Sequence, residues 1–408
     1  MREGRAGVVS RAHVLFLHSS SGHYGADRQL ALLVSGLDPA RYRPIVVLPP
    51  GELAGELRAA GAEVIERAPA VIRRGAGGAG VPRGLAALAV AGASDGAALG
   101  RLIRRRRVAL VHSNTSVVLG GAAAAAAARV PHVWHVRELY GRFPTLWPAY
   151  RRVLRTAAAL PCVSWAVAGQ FGADPRARVV YDGLAIDARR APREAARAAL
   201  GLPGDAAVIA VLGRISDWKG QDLLVRALAT EELRDRGAIG LIAGEPWPGA
   251  EERRERVLAL ARRLHVEDRL ALVGFREDVE TVYGAADVVA VPSTAPDPLP
   301  NAALEAAAAG CAVVAAAHGG LPEIIRDRET GRLFRPGDGP ALAAVTAALL
   351  DDADERDRLG AAAAADVRAR FDPARLIAEV QSLYDAVITS GRSAPGRRLR
   401  PRQWRRSR

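Results

Sequence analysis

Lysine, methionine and cysteine are nearly absent from this 408-residue chain. Lys219 is its one lysine, Met1 its one methionine, and Cys162 and Cys311 its two cysteines. Two cysteines inside apolar runs need no disulfide and fit a reducing, cytoplasmic setting. Aromatic residues make up only 5%, so the core must pack closely through Ala, Gly, Val and Leu. Long apolar runs are missing too. The longest stretch without Asp, Glu, Lys or Arg, 108–128, carries His112, Ser113, Asn114 and Thr115 and reads as a strand followed by an Ala-rich helix, not a membrane span. Near Met1 there is no long apolar segment, so no secretory signal is expected.

Acidic residues run short against basic ones, giving a net charge of +13. That excess is uneven. Residues 391–408 hold eight Arg and no acid, leaving +5 for the other 390 residues. The basicity is therefore a tail expected to be disordered over 390–408, which argues against nucleic acid as the partner. Trp404 among these arginines fits peripheral contact with an anionic membrane, such as an inner membrane face, at about 1 kcal/mol per cation. Arg104–Arg107 precede a strand and read as one solvated helix end.

Strand-like and helical runs alternate throughout, the pattern of parallel sheets flanked by helices. The first series of strands is expected at His13–His18, Pro44–Leu48, Ala62–Glu66, Val108–His112, His132–Val136 and Leu160–Val163. A second series covers Val208–Gly213, Gly240–Ala243, Leu270–Val273, Val288–Val291 and Ala312–Ala315. Between them, the irregular Asp182–Pro192 marks a boundary, and a last helix, Pro373–Val387, is expected to cross back to the first domain. The prediction is an α/β chain of two Rossmann-like, doubly wound domains facing a central cleft, where ligands bind at the carboxyl ends of such strands. The Gly/Ala-rich stretch 73–100 reads as a loop and a weakly specified helix. Its Gly75–Gly80 glycines match a dinucleotide fingerprint only formally: no strand leads in and Pro82 follows.

Chemistry concentrates in the second half. Strand Val208–Gly213 runs into Arg214-Ile-Ser-Asp-Trp-Lys219-Gly220, and a helix follows. Two cations at a strand-to-helix turn suit an anion. Some eighty residues on come Asp297-Pro-Leu-Pro300-Asn301-Ala302-Ala303-Leu-Glu305 and then His318-Gly319-Gly320-Leu-Pro322-Glu323. Pro300 suits the first turn of a helix, whose amides at Asn301, Ala302 and Ala303 point outward to phosphate or sugar oxygens. Glu305 can accept two ribose hydroxyls, and Asp297 sugar hydroxyls.

These elements resemble the retaining glycosyltransferases of the two-Rossmann-domain GT-B type, family 4. The resemblance implies that Arg214 and Lys219 bind a nucleotide-diphosphate donor with help from Gly25, Asn301 and Ala302. Asp297 would face the transferred sugar, and Glu305, Gly319 and Gly320 would line the sugar and ribose. Asp297 stands where that family usually has Glu, which leaves the sugar open. In the first half, Ser21-Gly22-His-Tyr-Gly25-Ala-Asp27 is similar to the family's Gly-rich loop. Val133-Trp-His135-Val-Arg137-Glu138 is similar to the segment whose His lies near the reacting carbon, so His135 and Asp297 are the catalytic candidates. Arg137 and Glu138 are acceptor-side candidates. Residues 1–183 would form the acceptor domain, joined by helix 373–389, and 184–372 the donor domain.

The implied reaction is sugar transfer to a hydroxyl of a glycan, lipid-linked or small-molecule acceptor, with retention and without metal or other cofactor. Asp352-Ala-Asp354 resembles a metal motif but lies in a charged run and reads as helix surface. The alternatives are a glycoside hydrolase using Asp297 and Glu305, a sugar-nucleotide epimerase of the same fold, a phosphorylase with Lys219 bound to pyridoxal phosphate, and a non-catalytic binder of anionic surfaces.

Overall fold

The computed structural model describes residues 11–72, 81–141 and 147–392, with 81–93 and 391–392 as backbone alone. The Gly75–Gly80 fingerprint match and the arginine-rich tail from Ser393, including Trp404, lie outside the described residues. The chain divides into two compact units: one reaches to Ala185 and resumes at Pro373, and the other is Ile186–Asp372.

In the first unit, β1 (Ala12–Leu17), β2 (Tyr42–Leu48), β3 (Glu63–Glu66), β4 (Val108–Ser113) and β5 (His132–Trp134) form a parallel sheet in the order β3-β2-β1-β4-β5. Val14, Leu15, Phe16 and Leu17 are all buried, as a strand covered by helices on both faces requires. Strands β6 (Leu160–Cys162) and β7 (Ala177–Val179) pair in parallel, and a Val136–Cys162 bridge ties β6 to the end of β5. Helix Pro373–Arg392 packs Leu376, Val380, Tyr384 and Val387 into the core of this unit.

Of the stretch 73–100, residues 73–80 lie outside the described residues, and the rest belongs to helix Val81–Arg106, well formed where a weakly specified helix was expected. Small residues explain it: a Cβ on Gly96 would meet Ala123 at 2.9 Å, and one on Gly120 would meet Asp95 at 2.8 Å. Low side-chain bulk here allows close approach to helix Gly120–Ala128, and Leu99 and Ile103 anchor the later turns in the core. Arg104, Arg105 and Arg106 close its last turn, where positive charge suits the helix dipole.

The second unit holds β8 (Val208–Leu212), β9 (Ile239–Ala243), β10 (Leu270–Leu272), β11 (Val288–Val291), β12 (Ala312–Ala316) and β13 (Arg332–Phe334). The order is β10-β9-β8-β11-β12-β13, again parallel. β7 and β13 are not among the expected strands: each has three residues, with Arg178 or Arg332 breaking the apolar signal. In both sheets the strand order reverses at one place, between β1 and β4 and between β8 and β11. Loops diverge there and leave a crevice at the carboxyl edge.

Cys162 lies in β6 and Cys311 just ahead of β12; both are free and buried, and burial pushes each thiol up to about 12. Among the described residues, no helix is long and apolar enough to cross a membrane.

Candidate functional site

At the switch point of the second unit, β8 delivers Arg214 and Lys219, and β11 delivers Asp297 and the helix Asn301–Ala308. Glycines let these loops touch. Gly220 has φ +78°, and a Cβ there would lie 1.9 Å from the Pro292 carbonyl oxygen. Thr294 N–H donates to the Trp218 carbonyl at 2.8 Å, closing the same contact. Lys219 Nζ consequently meets Asp297 Oδ2 at 2.7 Å across 78 positions of sequence.

Asp297 is held from its other side. Gly320 N–H donates to its carbonyl at 2.8 Å, and a Cβ on Gly319, at φ +61°, would strike that oxygen at 2.3 Å. The Gly319-Gly320 pair thus acts through close backbone approach, fixing the Asp297 loop against the end of β12. His318 Nε2 adds a 2.7 Å contact to the Ser293 carbonyl.

Pro300 is the N-cap, one position before the helix in which the sequence reading places it. Ala303 N–H turns back to the Pro300 carbonyl at 3.0 Å, so it is spent within the first turn and does not point outward as expected. The amides of Asn301 and Ala302 have no acceptor among the described residues, and Asn301 Nδ2 is buried without one. Glu305 lies buried one turn on, accepting from the Tyr283 hydroxyl at 3.3 Å.

Arg214 is buried, with its Cζ 3.3 Å from the centroid of the Trp247 ring and Nη1 3.5 Å from the Pro246 carbonyl. Trp247, in the loop after β9, remains 46% exposed, so it sheathes one face of the guanidinium and restricts its rotamers. Gln221 Nε2 donates to the Arg214 carbonyl at 3.0 Å. Sequence reasoning misses both partners. The signal for Trp247 was available, a tryptophan between two prolines directly after a strand, but nothing in sequence spacing pairs it with Arg214. Among the described residues, no group of three His, Cys, Asp or Glu is placed to hold a metal ion.

The first unit's carboxyl edge is built differently. Gly25 opens helix Gly25–Gly36, and the amides of Gly25 and Ala26 have no acceptor among the described residues. The loop before it is pinned by Asp27, which meets His18 Nε2 at 2.8 Å and accepts from Ser20 Oγ at 2.5 Å and Tyr24 N–H at 3.1 Å. Burial opposes ionisation of Asp27, yet the His18 contact and these donors together hold its carboxyl below the usual range. His135, just past β5, is fully buried, and neither ring nitrogen has a partner among the described residues. Burial, then the Arg137 and His112 charges, push its imidazole well below the ordinary value. His135 is therefore neutral near pH 7, able to give or take one hydrogen bond but not to carry a proton as imidazolium.

Arg137 and Glu138, read as acceptor-side residues, have internal partners. Arg137 Nη1 clasps both oxygens of Asp182 at 2.5 and 2.6 Å, and its Nε donates to the Asn114 carbonyl at 2.9 Å. Glu138 Oε2 accepts from the amides of Ser116 and Arg137, both at 3.1 Å, and from the Ser116 hydroxyl.

Two family models cover most of the chain. Residues 24–188 match Glycosyltransferase Family 4, and residues 192–366 match Glycosyl transferases group 1. The chain belongs to glycosyltransferase family 4.

This family 4 chain is 38% identical over 208 residues to a D-inositol 3-phosphate glycosyltransferase of Streptomyces scabiei, covering 48% of this chain and 46% of that protein. With the enzyme of that name from Mycobacterium bovis it shares 37% over 239 residues, 57% of this chain and 47% of the relative. It thus spans about half the length of the curated relatives it matches. Among solved structures, Anabaena HepE in complex with UDP-glucose is 25% identical with a TM-score of 0.78, over 92% of this chain and all of that one. Sucrose-phosphate synthase from Thermosynechococcus elongatus gives 21% and 0.73, over 93% and 100%. These neighbours have the GT-B fold of two Rossmann-like domains, and the family 4 chain shares it.

Proposed function

We propose that this family 4 chain transfers a sugar from a nucleotide diphosphate to a hydroxyl acceptor, with retention of configuration and without a metal ion. The observation that carries the reading is the convergence at the second unit's switch point. Lys219 and Asp297 lie 2.7 Å apart, the Asn301 and Ala302 amides lack acceptors among the described residues, and Arg214 is held by Trp247. Cations and outward amides suit a diphosphate, and the adjacent carboxylate suits sugar hydroxyls. HepE, with UDP-glucose bound, and the inositol-phosphate glycosyltransferases support a nucleotide-sugar donor and a hydroxyl acceptor here.

In this mechanism Arg214 and Lys219 neutralise the diphosphate, and fixed amide dipoles at Asn301, Ala302 and Gly25 take its remaining oxygens. The bond between the sugar C1 and the β-phosphate oxygen breaks, and the electron pair leaves with that oxygen. The acceptor oxygen bonds C1 from the same face, and its proton passes to the departing phosphate oxygen, so configuration is kept. Arg214 and Lys219 supply the positive charge that a divalent ion would otherwise give. Asp297 orients the sugar, Glu305 holds ribose hydroxyls, and neutral His135 offers one hydrogen bond near C1. The first unit is the acceptor domain, where Arg137 and Glu138 brace the wall. The test is a panel of nucleotide sugars scored by thermal stabilisation of the purified chain and by acceptor-dependent nucleotide release. One or more donors should raise the melting temperature; no shift with any would sink the reading, and donor conversion without acceptor would favour an epimerase.

A further inference from the structure

The second unit contains a cavity of about 440 Å³ between helices Gln221–Leu228 and Glu252–Arg263. None of Arg214, Lys219, Asp297 or Glu305 lines it. Its walls are basic. Arg253, Arg256 and Arg263 enter from the second helix and Arg226 from the first, against only Asp217 and Asp222. On an α-helix, positions 253, 256, 260 and 263 fall within one narrow arc, so these arginines share a face with Leu260. The cluster is not self-neutralised. Asp217 pairs with Arg253 at 3.1 Å and Arg256 at 3.0 Å, and Glu252 lies 4.0 Å from Arg256, while Arg226 and Arg263 have no carboxylate partner among the described residues.

Two buried polar groups in the same lining are also unpaired. Ser216 Oγ and Gln221 Oε1 have no hydrogen-bond partner, and their residues are 6% and 1% exposed. Arg253 Nε is in the same condition. An unpaired buried polar atom costs about 1–3 kcal/mol, a cost that a polar occupant reaching these atoms would relieve. Four guanidiniums against two carboxylates leave a charge that matches a phosphate monoester of about −2. Gln221 Oε1 only accepts, so the occupant also needs a donor, which a sugar or polyol hydroxyl supplies.

We propose that this cavity binds a phosphorylated sugar or polyol, with phosphate on the arginines and a hydroxyl on Gln221, at a site separate from the Lys219–Asp297 pair. Because Gln221 also holds the Arg214 carbonyl, occupancy is transmitted to the loop that carries both cations.

The experiment is calorimetric titration of the full chain with glucose 6-phosphate, inorganic phosphate and glucose. Glucose 6-phosphate should bind at least tenfold more tightly than either of the others. The Arg256→Gln/Arg263→Gln variant, altered only at exposed positions, should weaken it at least tenfold, and Arg226→Gln on the other helix at least threefold. Lys219→Ala should leave it within twofold. Undetectable binding, equal affinity in the arginine variants, or loss in Lys219→Ala instead would overturn the proposal. Saturating glucose 6-phosphate should shift the Kd for UDP at least threefold; an unchanged value would overturn the transmission through Gln221. A chain that binds glucose 6-phosphate but no nucleotide would strike the transferase reading and leave this one standing.

Discussion

The two units repeat one topology and fill its carboxyl edge with different chemistry. After β8 and β11 the edge is ionic: Lys219 meets Asp297, Arg214 lies under Trp247, and two helix amides lack acceptors among the described residues. In the first unit a buried ion pair, Arg137 with Asp182, follows β5, and β4, β5 and the residue just past β5 carry histidines whose burial opposes charge. His112, His132 and His135 are buried, with His112 touching the Tyr384 hydroxyl at 2.5 Å and His132 the Ser113 hydroxyl at 2.9 Å. The fold provides a crevice, and the residues placed at the strand ends decide whether it attracts charge.

Acid should separate the units most strongly. Burial is the main cause pushing His112 and His135 well below their ordinary value, and it takes His132 to about 3. The unfolded chain therefore takes up these protons first. Their stabilisation is complete above about pH 6.5 and is lost as pH falls below it, down to about 3 for His132, at up to about 1.4 kcal/mol per pH unit for each histidine. In urea titrations at pH 7.5 and 5, the first unit should lose stability much more steeply than the second. Parallel losses in both units would break the comparison.

Lys219→Arg tests the ionic edge. A planar guanidinium keeps the charge but not the compact ammonium, so kcat/KM should fall about 10–100-fold, or about 1.4–2.7 kcal/mol. Near-normal turnover would reduce Lys219 to an accident of a chain that otherwise uses arginine throughout. The smallest effect belongs to Trp247→Ala, which releases Arg214 from its stack. UDP should then bind about 2–5-fold more weakly, consistent with about 0.5–1 kcal/mol for an exposed cation–π contact. If that variant is unchanged in UDP affinity, Arg214 is positioned by its backbone contacts alone.

Strands with four or more apolar residues, such as Val14–Leu17 and Val288–Val291, were legible in sequence because burial on both faces demands an unbroken run. The helix over 81–106 was obscured for the opposite reason. Gly and Ala carry little periodic signal, and the contact of Gly96 with Ala123 exists only once a second helix arrives. At the site, residue types were readable while partners were not. Arg137 looked exposed to ligand by position, yet Asp182, 45 residues away, takes it.

By itself, the sequence determined the alternation of strands and helices, the two series of strands, and the chemical types at the ends of β8 and β11. Hydrophobic period and residue chemistry are local properties, carried by the chain before it folds. Only the tertiary structure decided that Lys219 reaches Asp297, that Trp247 covers Arg214, and that four arginines ring one cavity. Each of these joins residues from different loops or helices, and close backbone approach at Gly220 and Gly319 sets the loop contacts at the site.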